Sequence, residues 1–271
     1  MKIVTNILLR SGAPDTGRGR RQAVIAAGVA LVAVCALPAP ARAIVGGSEA
    51  ASGAFPSTVS VYQDQGSGAE YHCGGVIISK RTVLTAAHCT SGLSPSTLSV
   101  RFGSNDRTSG GTVVAVSQIV NHPSYSSSTL NNDVAVVNTA APMDAPAAPL
   151  PAQGSDPKPL TGLTVTGWGK TSADSSTLPV MLHQVGTRVV ARSVCQASYG
   201  NSAVTANMFC AGLHLTPRGA CTGDDGSPAY NNGVVLGVVS QESPGCDSLL
   251  KPDIYTRIGN YRTWIGNNMI P

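Results

Sequence analysis

The sequence predicts an all-β fold made of two β-modules, on three observations. Only 12% of the 271 residues are charged and 42% are hydrophobic, with 30 glycines and 18 prolines, the composition of a folded chain rich in turns. Short apolar stretches recur through residues 44–271, and many alternate apolar with polar side chains, as a half-buried strand does. Near the middle, "APMDAPAAPLPAQGSDPKPL" (141–160) has no period and is rich in Pro and Ala, which marks a crossing between modules of similar size. The length suits one large or two small domains and is ample for a buried core.

The first 43 residues stand apart. Arg18, Arg20 and Arg21 precede an apolar run ending at Leu37, and "PAPARA" follows, with Ala41 and Ala43 in an A-x-A pattern. This is the layout of a secretory signal peptide cleaved after Ala43, or after Ala41 with Arg42-Ala43 then trimmed. The run is short for a membrane anchor, and the residues after Arg20-Arg21 fit a twin-arginine signal poorly. The segment carries six of the 18 Lys and Arg and one of the 14 Asp and Glu, so the overall +4 becomes −1 over residues 44–271. The basic excess therefore belongs to export, and nucleic acid is not an expected partner, nor is a membrane once the leader is gone. Cys35 leaves with the leader. Cys73, Cys89, Cys195, Cys210, Cys221 and Cys246 remain, an even set that reads as three disulfides in an exported chain, among 15 possible connectivities. There is no C-x-x-C pair and no H-E-x-x-H spacing, so no metal or other cofactor is expected. Nor is there an N-x-[ST] sequon for N-glycosylation.

Strands are predicted at 57–63, 74–87, 110–122, 133–139, 163–169, 183–190, 233–241 and 253–259, among others. "YRTWIGNNMI" (261–270) suits a short closing helix with Trp264 and Ile265 facing inward. Two side chains carry chemical interest before any comparison. His88 ends an apolar strand in "LTAAHC", beside Cys89, with Cys73 placed to staple its loop; a single histidine there is as a rule a packing residue. Asp133 stands at the mouth of the apolar strand in "NNDVAVV". A carboxylate there must be paired, because burying it alone is costly, and a histidine is a natural partner.

"IVGG" (44–47), "LTAAHC" (84–89), "NNDVAVV" (131–137), "GWG" (167–169), "FCAG" (209–212) and "CTGDDGSP" (221–228) occur in this order. Together they resemble the chymotrypsin/trypsin family of serine endopeptidases over essentially all of residues 44–271, and "SVCQASYG…ANMFCAG" is similar to secreted fungal and actinobacterial members. The resemblance implies two six-stranded antiparallel β-barrels with an active site between them: barrel one over about 50–140, the crossing at 141–160 and barrel two over about 161–260. It implies disulfides Cys73–Cys89, Cys195–Cys210 and Cys221–Cys246. It makes His88 the general base, Asp133 its orienting acid and Ser240 a hydrogen-bond donor to that acid. It places the oxyanion hole on the Gly223 and Asp225 amides, and pairs the new ammonium of Ile44 with Asp224. Family zymogens are usually cut after Lys or Arg; here Ala43 precedes Ile44, so no tryptic activation step is encoded.

The chain also departs from the family. The family loop reads Cys-x-Gly-Asp-Ser-Gly-Gly-Pro, and here Asp225 stands for the nucleophilic serine and Ser227 for the second glycine. Asp225 is expected to pair with His88, leaving the imidazole between two carboxylates and charged. Ser227, two residues along a tight turn, is expected to project away from the cleft. The family's Ser-Trp-Gly becomes Ser240-Gln241-Glu242, which adds bulk and charge at the groove. Gly219 replaces the aspartate of trypsin-like pockets, and Asp253 falls on the opposite wall, where it favours a basic side chain or pairs with Lys251 or Arg218. The expectation is a secreted, extracellular, monomeric and inactive protease homologue that binds a protein or peptide, such as a protease inhibitor or another secreted hydrolase. The alternative is an endopeptidase of low or atypical activity with some preference for basic side chains through Asp253.

Overall fold

The computed structural model describes residues 44–212, 218–246 and 248–271; the expected leader over 1–43 lies outside them. After β1 (Ser48–Glu49), six strands make the first barrel: β2 (Thr58–Asp64), β3 (Ala69–Ser79), β4 (Thr82–Thr85), β5 (Leu98–Phe102), β6 (Thr112–Asn121) and β7 (Ala135–Thr139). They close antiparallel in the order β2-β3-β4-β7-β6-β5. β-Branched side chains suit the pleated wall, and Val59, Val61, Ile77, Val83, Val100 and Val137 fill its interior. β5 shows the alternation plainly: Leu98, Val100 and Phe102 are buried, and Ser99 and Arg101 between them are less so.

The second barrel has β8 (Gly162–Gly167), β9 (His183–Val190), β10 (Met208–Ala211), β11 (Pro228–Asn231), β12 (Val234–Gln241) and β13 (Asp253–Arg257). Its order is β9-β10-β13-β12-β11-β8, closed by antiparallel pairing of β8 with β9, and β1 is added along β9. Ile44, Val165, Val185, Val189, Val239 and Tyr255 pack inside it. A separate cluster joins the barrels: Val76, Leu84, Val134 and Val136 from the first meet Tyr230, Val235 and Val238 from the second. Polar ties reinforce this junction, with the Tyr230 hydroxyl 3.1 Å from Ser57 Oγ and 3.0 Å from Thr58 Oγ1.

β4 and β7 are therefore buried on both faces. Val83 and Val137 point into their own barrel, and Leu84 and Val136 meet the other. A strand with no solvated face reads as a continuous apolar run rather than an alternation. The stretch 74–87 is divided at Lys80-Arg81, where β3 turns into its antiparallel neighbour β4. No strand forms between Thr139 and Gly162; buried Met143 and Ala148 tack this segment to the core clusters. Helix α1 (Arg192–Tyr199) starts without a side-chain cap, its N-cap being Ala191, so the usual start signal is missing from the sequence. Helix α2 (Arg262–Asn268) ends the fold; Ile265 is fully buried and Trp264 packs partly buried on the same inter-barrel cluster. Among the described residues no helix is long and apolar enough to cross a membrane.

Candidate active site

Three loops bring the chemistry together. His88 lies just beyond β4, in a loop clipped to β3 by the Cys73–Cys89 disulfide. Asp133 precedes β7, and Asp225 sits in the turn before β11. The Asp133 carboxylate has no solvent exposure, and its position is fully determined by donors. Oδ1 accepts the His88 backbone N–H at 2.8 Å, while Oδ2 lies 2.7 Å from His88 Nδ1 and accepts the Ser240 hydroxyl at 2.6 Å. On the other side of the ring, His88 Nε2 is 3.2 Å from Asp225 Oδ1, with the two side chains 25% and 27% exposed. Burial alone would lower the His88 pKa; the hydrogen bonds and charges of Asp133 and Asp225 outweigh it and push the ring up to about 10. The imidazole is thus an imidazolium at neutral pH.

The loop 221–228 holds Asp225 from both ends. The Asp225 carbonyl accepts the Gly74 N–H at 2.8 Å, and the Gly226 N–H donates to Val239 O at 2.9 Å. Gly223 has φ +96° and Gly226 φ +73°, and at Gly226 a Cβ would strike Thr85 Oγ1 at 2.1 Å, so both the turn and its seat require glycine. Among the described residues the Gly223 and Asp225 amides donate to no protein acceptor. The Gly223 carbonyl accepts the Tyr71 hydroxyl at 2.7 Å. Ser227 is fully buried between Gly74 and Gly167: its Oγ would lie 2.0 Å from a Cβ on Gly74 and 2.8 Å from one on Gly167. The Oγ has no hydrogen-bond partner among the described residues, while the Ser227 N–H donates to Asp224 O and the Ser227 carbonyl accepts from Val239 N–H, each at 2.9 Å.

Asp224 is fully buried and accepts the Gly169 and Cys221 amides at 2.7 and 2.9 Å. Burial pushes its carboxyl well above the usual range; those amides oppose the rise, and Glu242 and Asp225 add to it. No cation among the described residues lies within 4 Å of it. Ile44 is buried in the core of the second barrel and Val45 bridges to Gly219.

Gly219 and Asp253 meet directly. A Cβ on Gly219 would lie 2.2 Å from Asp253 Oδ2, so the carboxylate arriving from β13 fills the space a side chain at 219 would take. Asp253 accepts the Ala220 and Ser243 amides, each at 2.8 Å, and is nearly fully buried. Burial raises its pKa to about 6 against these donors. It forms no ion pair with Arg218 or Lys251, and the Lys251 ammonium instead lies 5.2 Å from the Tyr199 ring centroid. Glu242 is half-buried with Oε1 unpartnered; burial, then the Asp225 charge, raises it to about 7. The Cys73 and Cys89 sulfurs and His88 lie within 4.8 Å of one another, but disulfide sulfurs offer no thiolate to a metal.

The profile described as Trypsin matches residues 44–265. The chain belongs to the trypsin family. Trypsin Blo t 3 of Blomia tropicalis is 43% identical over 236 residues, which cover 84% of this chain and 86% of that protein. Trypsin Tyr p 3.0101 of Tyrophagus putrescentiae is 40% identical over 232 residues (82% and 79%), and Trypsin beta of Drosophila erecta is 36% identical over 229 (83% and 88%). Against this trypsin-family frame, the three disulfides pair Cys73 with Cys89, Cys195 with Cys210 and Cys221 with Cys246. Two site residues carry no signal in the sequence. Tyr71 reaches Gly223 from 152 residues away, and Thr256 Oγ1 donates to the Asp133 carbonyl at 2.6 Å from 123 residues away.

Proposed function

We propose that this trypsin-family protein is secreted and binds protein or peptide ligands without cleaving them. The observation that carries the reading is Asp225 Oδ1, 3.2 Å from His88 Nε2, where the family has its nucleophilic hydroxyl. Peptide hydrolysis by this fold needs an imidazole lone pair to take a proton from serine. A ring held protonated to about pH 10 has none to offer at pH 7. Attack by a carboxylate would form a mixed anhydride by expelling an amine, a strongly uphill step. A fixed negative charge beside the Gly223 and Asp225 amides also repels the oxyanion those amides would stabilise. Loss of the nucleophile alone lowers kcat by about 10⁴- to 10⁶-fold.

The terminal switch belongs to the same reading. Release of Ile44 by signal peptidase would free an ammonium able to pair with the buried Asp224 carboxyl, and that ion pair would then shape the loop 221–228. Export of the chain, its likeness to fungal and actinobacterial members, and a protease inhibitor or secreted hydrolase as partner complete the proposal. One observation favours a second reading, an endopeptidase of low activity with preference for basic side chains: the Asp253 carboxylate over Gly219.

Turnover of a mixed peptide library and labelling by a fluorophosphonate probe separate the two. No turnover and no labelling are expected, while appreciable probe-sensitive turnover would sink the non-cleaving reading. In the Asp225→Ser, Ser227→Gly double variant, restored hydrolysis would show that the rest of the groove works. Continued silence would assign the remaining block to Gln241 and Glu242.

A further inference from the structure

A cavity of about 780 Å³ lies outside the His88 constellation, on the rim of the first barrel. Two arginines and two tyrosines line it, arranged as stacked pairs: Arg101 Cζ is 5.8 Å from the Tyr62 ring centroid, and Arg107 Cζ is 5.4 Å from that of Tyr71. Both guanidinium groups are held by main-chain carbonyls, Arg101 Nη1 by Gly110 O at 2.5 Å and Arg107 Nε by Pro179 O at 2.8 Å. Neither has a carboxylate partner among the described residues, and Arg101 Nε is buried without an acceptor. Fixed, stacked and unpaired guanidinium groups are preorganised donors for carboxylates. The acid in the lining, Glu70, is exposed and opposes two cations.

We propose that this cavity is a second binding site, which takes an acidic peptide segment. Its carboxylates would meet Arg101 and Arg107, and its apolar atoms would lie against Tyr62, Tyr71 and Leu178. The volume is that of sites that enclose organic ligands, far larger than an inorganic anion fills. Two arginines on residues 44–271 of net charge −1 are too few for a phosphate backbone. The site also abuts the loop of the candidate active site: Tyr71 donates to Gly223 O, and Leu178 Cδ2 would lie 2.8 Å from a Cβ on Gly223. One partner can therefore occupy both.

The test is calorimetric titration of the purified protein with the peptide (Glu-Gly)₅, with (Lys-Gly)₅ and sodium sulfate as comparison arms. The acidic peptide is expected to bind more weakly as salt rises, the basic peptide not at all, and sulfate only far more weakly. Arg101→Gln and Arg107→Gln are each expected to weaken binding about tenfold. Absence of acidic-peptide binding, equal binding by the double arginine variant, or sulfate binding as tightly as the peptide would each overturn the site. Should the arginine variants not fold, Glu70→Gln decides on an exposed residue: tighter binding supports the site, and unchanged affinity refutes it. These outcomes do not touch the His88–Asp225 contact, so failure here leaves the non-cleaving reading standing.

Discussion

Two carboxylates grip the His88 ring from opposite nitrogens, and that contact sets both charge and pH response. The ring titrates near 10 rather than near the ordinary 6.5. A proton held more tightly by the folded state stabilises it fully below about pH 6.5, and the contribution is lost as pH rises through about 10. Asp225→Asn removes one of the two anions while keeping the shape. The His88 midpoint, followed by NMR, is expected to fall by about one pH unit or more. The loss of stability between neutral and alkaline pH, read from urea unfolding, should shrink with it. An unmoved midpoint would mean that Asp225 does not hold the proton on the ring. Sequence reasoning reached this contact only through six motifs in order, because His88 alone looks like a packing residue and Asp133 alone like a paired acid. Tyr71 and Thr256 stayed illegible: each acts across more than 120 residues through a single hydrogen bond, with no local pattern to mark it.

At the level of elements, β3 and the loop 221–228 are fitted at atomic distance. Ser227 Oγ occupies the space beside Gly74, and a Cβ there would approach it to 2.0 Å. Gly74→Ala is expected to cost about 1–3 kcal/mol. In a Ser227→Gly background the cost should fall, since the nearest obstructing atom is gone, leaving the backbone contact at 3.0 Å. A double-mutant cycle by chemical unfolding measures the coupling, and additive costs would show that the two positions do not press on each other. Legibility at this scale followed exposure. β9 alternates from His183 to Val190 and its bounds are plain, whereas β10 is four buried residues with no polar position to set a period. Helix α1 lacks a capping side chain and acidic residues in its first turn, so nothing announces it.

Across the whole molecule, the two barrels meet through Val76, Leu84, Val136, Tyr230 and Val238, with the Tyr230 hydroxyl bonded to Ser57 and Thr58. Tyr230→Phe strands the buried Ser57 hydroxyl, while Thr58 keeps its bond to Thr166 Oγ1 at 3.0 Å, and is expected to lower unfolding stability by about 1–2 kcal/mol with an unchanged denaturant slope. A reduced slope would instead indicate that the barrels unfold separately. The two-module plan was readable from the aperiodic Pro- and Ala-rich middle, whereas barrel closure was legible only through the family resemblance, because ring order depends on pairings such as β8 with β9 that no local signal encodes. The exchange at Gly219 carries the point into cataloguing. A filing scheme that reads pocket polarity from position 219 alone would enter this chain as neutral there, yet a carboxylate occupies that volume, delivered from 34 residues further on. Ligand preference in such folds is an address in space, and two chains can share it while spelling it at different places.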